Sequence, residues 1–233
     1  MAYTPDTRIL NLAFSGLTYL ADNNHISFQV VSTGILHTPS GKISACDPLV
    51  QPEQPSFTQK VAEGDYEVKI AIARYDSGDE RVAFAMLRFS EEQAVQWKMA
   101  LIGDQNEQGL GHDEFFGYGV DSGTGCFMDA EAAELLNERM TQEDDFYEEI
   151  TEGMQTTYKN TRSWLSFQPS DTSKANVVCF SSGWGDGVYP SFFGYSLDGD
   201  VVSLVTDFCL FPDSDSVNLP RTERPWWKFW KSS

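Results

Sequence analysis

Positive charge is what this 233-residue chain has least of: 16 Lys and Arg stand against 35 Asp and Glu, a formal net charge of −19. Binding nucleic acid through a broad phosphate-contacting face needs clustered Lys and Arg, so that function is not expected. Histidine is scarce as well. His25, His37 and His112 are the three present, and none stands in a nucleophile–histidine–carboxylate motif. The cysteines, Cys46, Cys126, Cys179 and Cys209, form no C-x-x-C pair. A structural zinc site usually needs closer spacing, so the pattern suits buried thiols in a reducing compartment. No apolar run approaches bilayer length, which excludes a membrane-spanning helix. The opening residues 1–14 carry no basic stretch leading into a purely apolar one. No signal peptide and a cytoplasmic location are therefore expected.

Apolar material is not lacking. A hydrophobic fraction of 41% with 13% aromatics argues for a packed core rather than a disordered chain. The reading is one α+β domain over residues 1–211, followed by an irregular C-terminal tail, 212–233, with a Trp-rich end. The core is expected to be an antiparallel, twisted β-sheet or β-sandwich with one helical excursion around residues 129–154.

Period-two alternation carries most of this. Ile26, Phe28 and Val30 share one strand face. Val68, Ile70 and Ile72 alternate inward in a strand over 66–76. Ser77-Gly78-Asp79 then turns the chain into a return strand over 80–89, a β-hairpin. Residues 9–20 alternate loosely and fit a strand or a short helix. Ser90-Glu91-Glu92 has the composition of a helix start. Asp129 is placed to cap a helix through Met140, with Ala132, Leu135, Leu136 and Met140 on one face. Phe146, Ile150 and Met154 follow at four-residue spacing, giving a second helix.

The densest stretch runs from Ser181 to Phe211. Gly183, Gly185 and Gly187 punctuate it, and Leu197-Asp198-Gly199-Asp200 reads as a turn. With the apolar run 177–180 before it, the stretch reads as a three-strand antiparallel meander. Asp207 stands between Val205 and Phe208, where a carboxylate is costly unless hydrogen-bonded. Two roles fit. Asp186 and Asp207 face one ligand pocket beside Trp184 and Tyr189, or Asp186 closes a turn while Asp207 receives backbone amides at a strand bend.

The segments SGWGDGVYP with its later VTDF, SGKISACDPLV (40–50), DERVAFAMLRF (79–89) and GYGVDSGTGCFMD (117–129) together resemble the bacterial family known only as domain of unknown function 4241. The resemblance spans nearly the whole domain. It implies a bacterial cytosolic domain and carries over no chemistry.

Two function classes follow. The first is an acidic, cytosolic protein-binding module, in concrete form an immunity protein neutralising a basic toxin or effector domain. Between Asp129 and Glu152 there are roughly ten acids and one base, Arg139. Glu138, Glu143, Asp144, Asp145, Glu148 and Glu149 are the partner-binding candidates. The second is a carboxylate- or metal-dependent, hydrolase-like enzyme in which Asp47, Asp121, Asp186 and Asp207 meet in one pocket. No cofactor is expected in the first reading; a divalent cation on oxygen ligands would serve the second. The adjacent His112, Asp113 and Glu114 make a weaker ligand set, because neighbouring residues rarely converge on one ion. The glycines of 121–126 lack the Gly-Lys-Ser/Thr ending of a phosphate loop. The aromatic and lysine-bearing end, Trp226 to Lys231, is the only candidate membrane contact.

Overall fold

Asp6 starts the first helix. Its carboxylate accepts the Arg8 N–H at 2.7 Å, and Gly16 closes the helix at φ 70°. This helix, α1 (Thr7–Ser15), buries Ile9, Leu10 and Ala13. The loosely alternating stretch 9–20 therefore holds helix first, then strand β1 (Thr18–Ala21). The computed structural model describes residues 2–16, 18–21, 24–143, 145–211 and 217–218. The Trp-rich end and Asp144 lie outside the described residues.

The remaining elements are β2 (Asn24–Thr38), β3 (Ile43–Cys46), β4 (Gly64–Tyr75), β5 (Glu80–Arg88), β6 (Gln96–Met99), β7 (Tyr118–Val120), β8 (Thr124–Asp129), α2 (Ala130–Gln142), α3 (Phe146–Gln155), β9 (Trp164–Phe167), β10 (Val177–Ser181), β11 (Gly187–Tyr189), β12 (Ser191–Tyr195), β13 (Val201–Asp207) and β14 (Val217–Asn218). They build an eight-stranded sheet in the order β14-β1-β2-β4-β5-β13-β12-β6, a four-stranded sheet β3-β8-β10-β9, and the pair β11-β7. All pairings between named strands are antiparallel. The fold is α+β with a sheet core, and the helical excursion over 129–154 is present as α2 and α3.

The layers follow from side-chain alternation. Val68, Leu87 and Leu204 are register partners across β4, β5 and β13 and point toward the small sheet. That sheet answers with Phe127, Val178 and Phe180, all fully buried. Burying each of these large apolar side chains stabilises the fold by roughly 1.5–3 kcal/mol. The small sheet's other face carries Cys46, Cys126 and Cys179, register partners in one row across β3, β8 and β10. Leu136, Phe146 and Ile150 of α2 and α3 cover it. On the far face of the large sheet lies α1. β2 reaches both sheets because it bends at a bulge between Ser32 and Gly34. Gly34 has φ 142°, and a Cβ there would sit 3.2 Å from the Ser166 Cβ.

Two expectations are corrected. The stretch 177–211 is not a meander. β10 pairs with β8 and β9, β11 pairs with β7, and only β12 and β13 form a hairpin. Pro190 divides the apolar run 188–195 into strands of two different sheets, because it has no N–H to give a continuous ladder. Ser90-Glu91-Glu92 starts no helix: the Val95 N–H is taken by Tyr195 O at 2.8 Å, which draws the chain into β6 beside β12. Farther along, the chain over 158–167 is strand only from Trp164. Asn160 and Thr161 before it hold φ 50° and 75°.

Candidate functional site

The helical pair α2–α3 begins at a fully buried carboxylate. Asp129 Oδ1 accepts the Glu131 N–H at 3.0 Å, and the Ser40 N–H and hydroxyl reach the same group at 3.1 and 2.8 Å. One residue thus caps α2 and ties it to the turn after β2. The inward faces are the apolar ones, Ala132 and Leu136 in α2, then Phe146, Ile150 and Met154 in α3. The described acids of both helices off those faces are left outward.

Arg139 joins the two helices. Its Nε donates to Glu143 at 3.0 Å and its Nη2 to Glu149 at 2.8 Å, while its guanidinium lies 3.8 Å from the Phe146 ring centroid. A cation in the last turn of α2 also suits the helix dipole. Around this clamp, Glu138, Asp145 and Glu148 are exposed and stand in no ion pair among the described residues. Glu143 and Glu149 are exposed and share Arg139. Elsewhere several bases are matched locally: Arg8 with Asp6, Lys69 with Glu67, Arg74 and Arg162 with Glu80, Arg81 with Asp79, Arg88 with Glu91. The helical pair thus carries a cluster of acids outside any ion pair, and others, Asp104 and Asp198 among them, stand elsewhere on the surface.

The aspartates fare differently. Asp47 is fully buried at the end of β3. Its carboxylate accepts the N–H groups of Asp121, Ser122 and Leu49 at 2.9, 2.8 and 3.0 Å, and the Ser122 hydroxyl at 2.8 Å. It closes the turn between β7 and β8 onto β3. Asp121 gives its backbone to this arrangement and keeps its own side chain exposed. Asp186 is exposed in the turn before β11. Asp207 is buried; its Oδ2 accepts the Tyr3 hydroxyl and its Oδ1 the Cys209 N–H, at 2.7 and 2.8 Å. Each buried carboxylate spends its oxygens on its own donors, and among the described residues no three His, Cys, Asp or Glu side chains are grouped to hold an ion. Asp47, Asp121, Asp186 and Asp207 thus form no ion-holding group among the described residues.

Trp184, Asp186, Tyr189 and Asp207 likewise face different surroundings. Trp184 is 57% exposed and lies under Arg81, 4.9 Å from the guanidinium carbon, beside Tyr75. Tyr189 is buried; its hydroxyl donates to Gly185 O at 2.8 Å and its ring packs on Phe208. Backbone-amide acceptance describes Asp207, and Asp186 stands exposed at the bend before β11. His112 and Asp113 contact each other at 2.6 Å on the exposed surface, and Glu114 turns back to the Gly111 N–H.

Burial pushes the Asp207 carboxyl from 3.8 up to about 6, against the pull of its Tyr3 and Cys209 bonds. The Tyr3 hydroxyl is driven up by its own burial and by Asp207. An acid raised on folding holds its proton longer in the folded chain. The Asp207 penalty therefore grows as pH rises from about 4 to 6 and is full above that. Asp207→Asn is expected to gain about 1–2 kcal/mol relative to the wild type between pH 5 and pH 7.5, read by urea denaturation at both values. A difference independent of pH would mean that Asp207 ionises as an ordinary aspartate.

The Tyr3–Asp207 bond had no sequence signal beyond composition, and of the Arg139 clamp only the Glu143 half, at four-residue spacing, was readable. Tyr3 and Asp207 lie at opposite ends of the described chain, and nothing in either neighbourhood names the other. Among the described residues no helix is long and apolar enough to cross a membrane. A family model described as "Protein of unknown function (DUF4241)" matches residues 36–206. The match takes in α2, α3 and the buried aspartates Asp47 and Asp129, and leaves α1, β1 and β14 outside. No curated protein and no solved structure matches.

Proposed function

The chain belongs to the DUF4241 family, and we propose that it is a protein-binding module whose acidic α2–α3 face receives a basic protein partner. The observation that carries this reading is the uncompensated charge of that face. Glu138, Asp145 and Glu148 stand outward around a single, fully engaged arginine, on helices fixed at one end by Asp129 and joined by Arg139. A rigid patch of one sign steers an oppositely charged protein during encounter and raises its association rate, an effect that salt weakens. In concrete form the partner is a basic toxin or effector domain, and this chain is its cytoplasmic immunity protein.

The test is affinity capture from lysate of the source cell at low and high salt, comparing three versions of the chain. The wild type is expected to retain a basic protein at low salt and less at high salt. Glu138→Lys/Asp145→Lys/Glu148→Lys is expected to weaken that retention by about tenfold or more, since like charges across an interface cost several kcal/mol. Glu63→Lys/Asp104→Lys/Asp198→Lys makes the same charge change at exposed positions off the helices, and retention should change little. Equal loss in both variants would reduce the effect to net charge and remove the α2–α3 face as the site.

A further inference from the structure

We propose that Cys46 and Cys126 are a disulfide-forming pair: when the chain folds in an oxidising medium, with a small-molecule disulfide such as glutathione disulfide as the oxidant, they close a cross-strand bond between β3 and β8. In reduced form they are the buried thiols of this structure. The inference is independent of the partner-binding reading, because it concerns the buried side of the small sheet and no charged surface.

The pairing begins with the backbone. Cys46 ends β3 and is the direct register partner of Cys126 in β8. Directly opposed residues of an antiparallel pair stand about 4.5–5.5 Å apart at Cα, within the roughly 4.4–6.8 Å that a disulfide spans. Opposed side chains leave the sheet on the same face, so the two thiols start out alongside each other. Their sulfurs are 3.7 Å apart. A disulfide closes at about 2.0 Å, so the sulfurs have roughly 1.7 Å to travel, a distance that side-chain rotation covers. Asp47 holds both strands in this register. It follows Cys46 directly, and its carboxylate accepts the N–H groups of Asp121 and Ser122 in the turn that leads into β8.

Cys179 is the competitor. It is the register partner of Cys126 on the other side, in β10. The sulfur contact goes to Cys46, and this selects the 46–126 bond. Cys209 stands outside the row, after β13, and its thiol meets the Asp207 carbonyl instead. The three thiols of the row are fully buried under α2 and α3, and thiolate is the attacking form. The hydrogen bond to Cys126, then burial, push the Cys46 thiol up, and burial does the same to Cys179. Exchange with a solution disulfide therefore belongs to the folding chain, before the helices cover the sheet. One cysteine thiolate attacks glutathione disulfide, giving a mixed disulfide and one glutathione thiolate. The other cysteine thiolate then attacks the protein sulfur of the mixed disulfide and releases the second glutathione. The two protein thiols lose two protons and two electrons, and these leave on two glutathione thiols.

The test unfolds the reduced full chain in urea and dilutes it into a buffer of glutathione and glutathione disulfide. The refolded protein is quenched, alkylated and mapped by mass spectrometry. The linked Cys46–Cys126 peptide is expected at least several-fold over any other pairing, with Cys179 and Cys209 alkylated. The same buffer with urea kept in should show no such preference. The oxidised chain should keep the circular dichroism spectrum of the reduced one. It should melt roughly 5–15 °C higher, because the bond ties together residues 80 positions apart. Cys179→Ala/Cys209→Ala retains the pair and should retain both results. Cys46 recovered from the refolded wild type as an alkylated or glutathione-bearing residue overturns the proposal, as does a dominant Cys126–Cys179 bond. So does a 46–126 bond that lowers the melting temperature or leaves it unmoved, since the folded sheet would then not accommodate it.

Discussion

Asp47→Ala is expected to lower the free energy of unfolding by about 3–5 kcal/mol in urea denaturation, the range for stripping a buried charge from its hydrogen-bonded partners. The alanine leaves three backbone N–H groups and the Ser122 hydroxyl facing a space with no acceptor. Asp121 and Ser122 form the turn that carries β7 into β8, so the damage reaches the small sheet itself. Ser122→Ala removes only one of these bonds, and about 1 kcal/mol is expected for it. Comparable losses for the two variants would mean that Asp47 is not the organiser of the turn. The comparison also bears on chemistry, because a carboxylate committed to four donors has little capacity left to act on a substrate.

The second large effect is expected at Arg162→Met, about 3 kcal/mol by the same measurement. The Arg162 and Glu80 side chains are 5% and 10% exposed and meet at 2.8 Å. The Thr161 hydroxyl also binds Glu80 O, holding the loop after α3 on the start of β5. Burial pushes the Glu80 carboxyl up, but the Arg162 hydrogen bond and charge, with Arg74, bring it below the ordinary carboxylate value. Its contribution is therefore present at neutral pH and lost as pH falls through the carboxylate range. In Arg162→Met, Glu80 keeps the half-exposed Arg74 at 3.1 Å and the Asn160 side-chain hydrogen bond. Glu80→Met/Arg162→Met, which removes both charges, should recover much of the loss, since apolar replacements of a buried pair are often neutral. A double variant no better than the single one would place the stabilisation in the loop's packing.

Local patterns made part of this architecture legible. The hairpin of β4 and β5 follows from alternation across Val68, Ile70 and Ile72 and from the Ser77-Gly78-Asp79 turn. The start of α2 follows from Asp129, and the buried face of α3 from Phe146, Ile150 and Met154. In each case the information lies within about a dozen residues. The strands of 177–211 show the opposite case. Their apolar content marks them as strands, but β10 finds its partners at residues 124–128 and 164–167, and β11 at 118–120. Side-chain pattern alone does not say which distant edge a strand joins. α1 was readable in principle: Asp6 and Gly16 are ordinary start and stop signals, masked by a loose alternation between them. The acidic surface was legible because exposed charge needs no tertiary partner to be recognised. The fate of Asp47 and Asp207 was not, since a carboxylate's role depends on which donors the fold brings to it.

The order of strands in the large sheet also bears on how the chain is made. β13 sits between β5 and β12, and β6 reaches the sheet only through β12. On a ribosome, β5 emerges long before β13. At synthesis rates of about 5–20 residues per second, the interval is roughly 5–20 s. Throughout it the nascent chain presents an apolar, unpaired strand edge, the kind of surface that chaperones shield and that joins neighbouring chains when left open. Stalling or truncation before residue 191 leaves that edge without its partner, so the fold is completed late, by strands from the far end of the sequence.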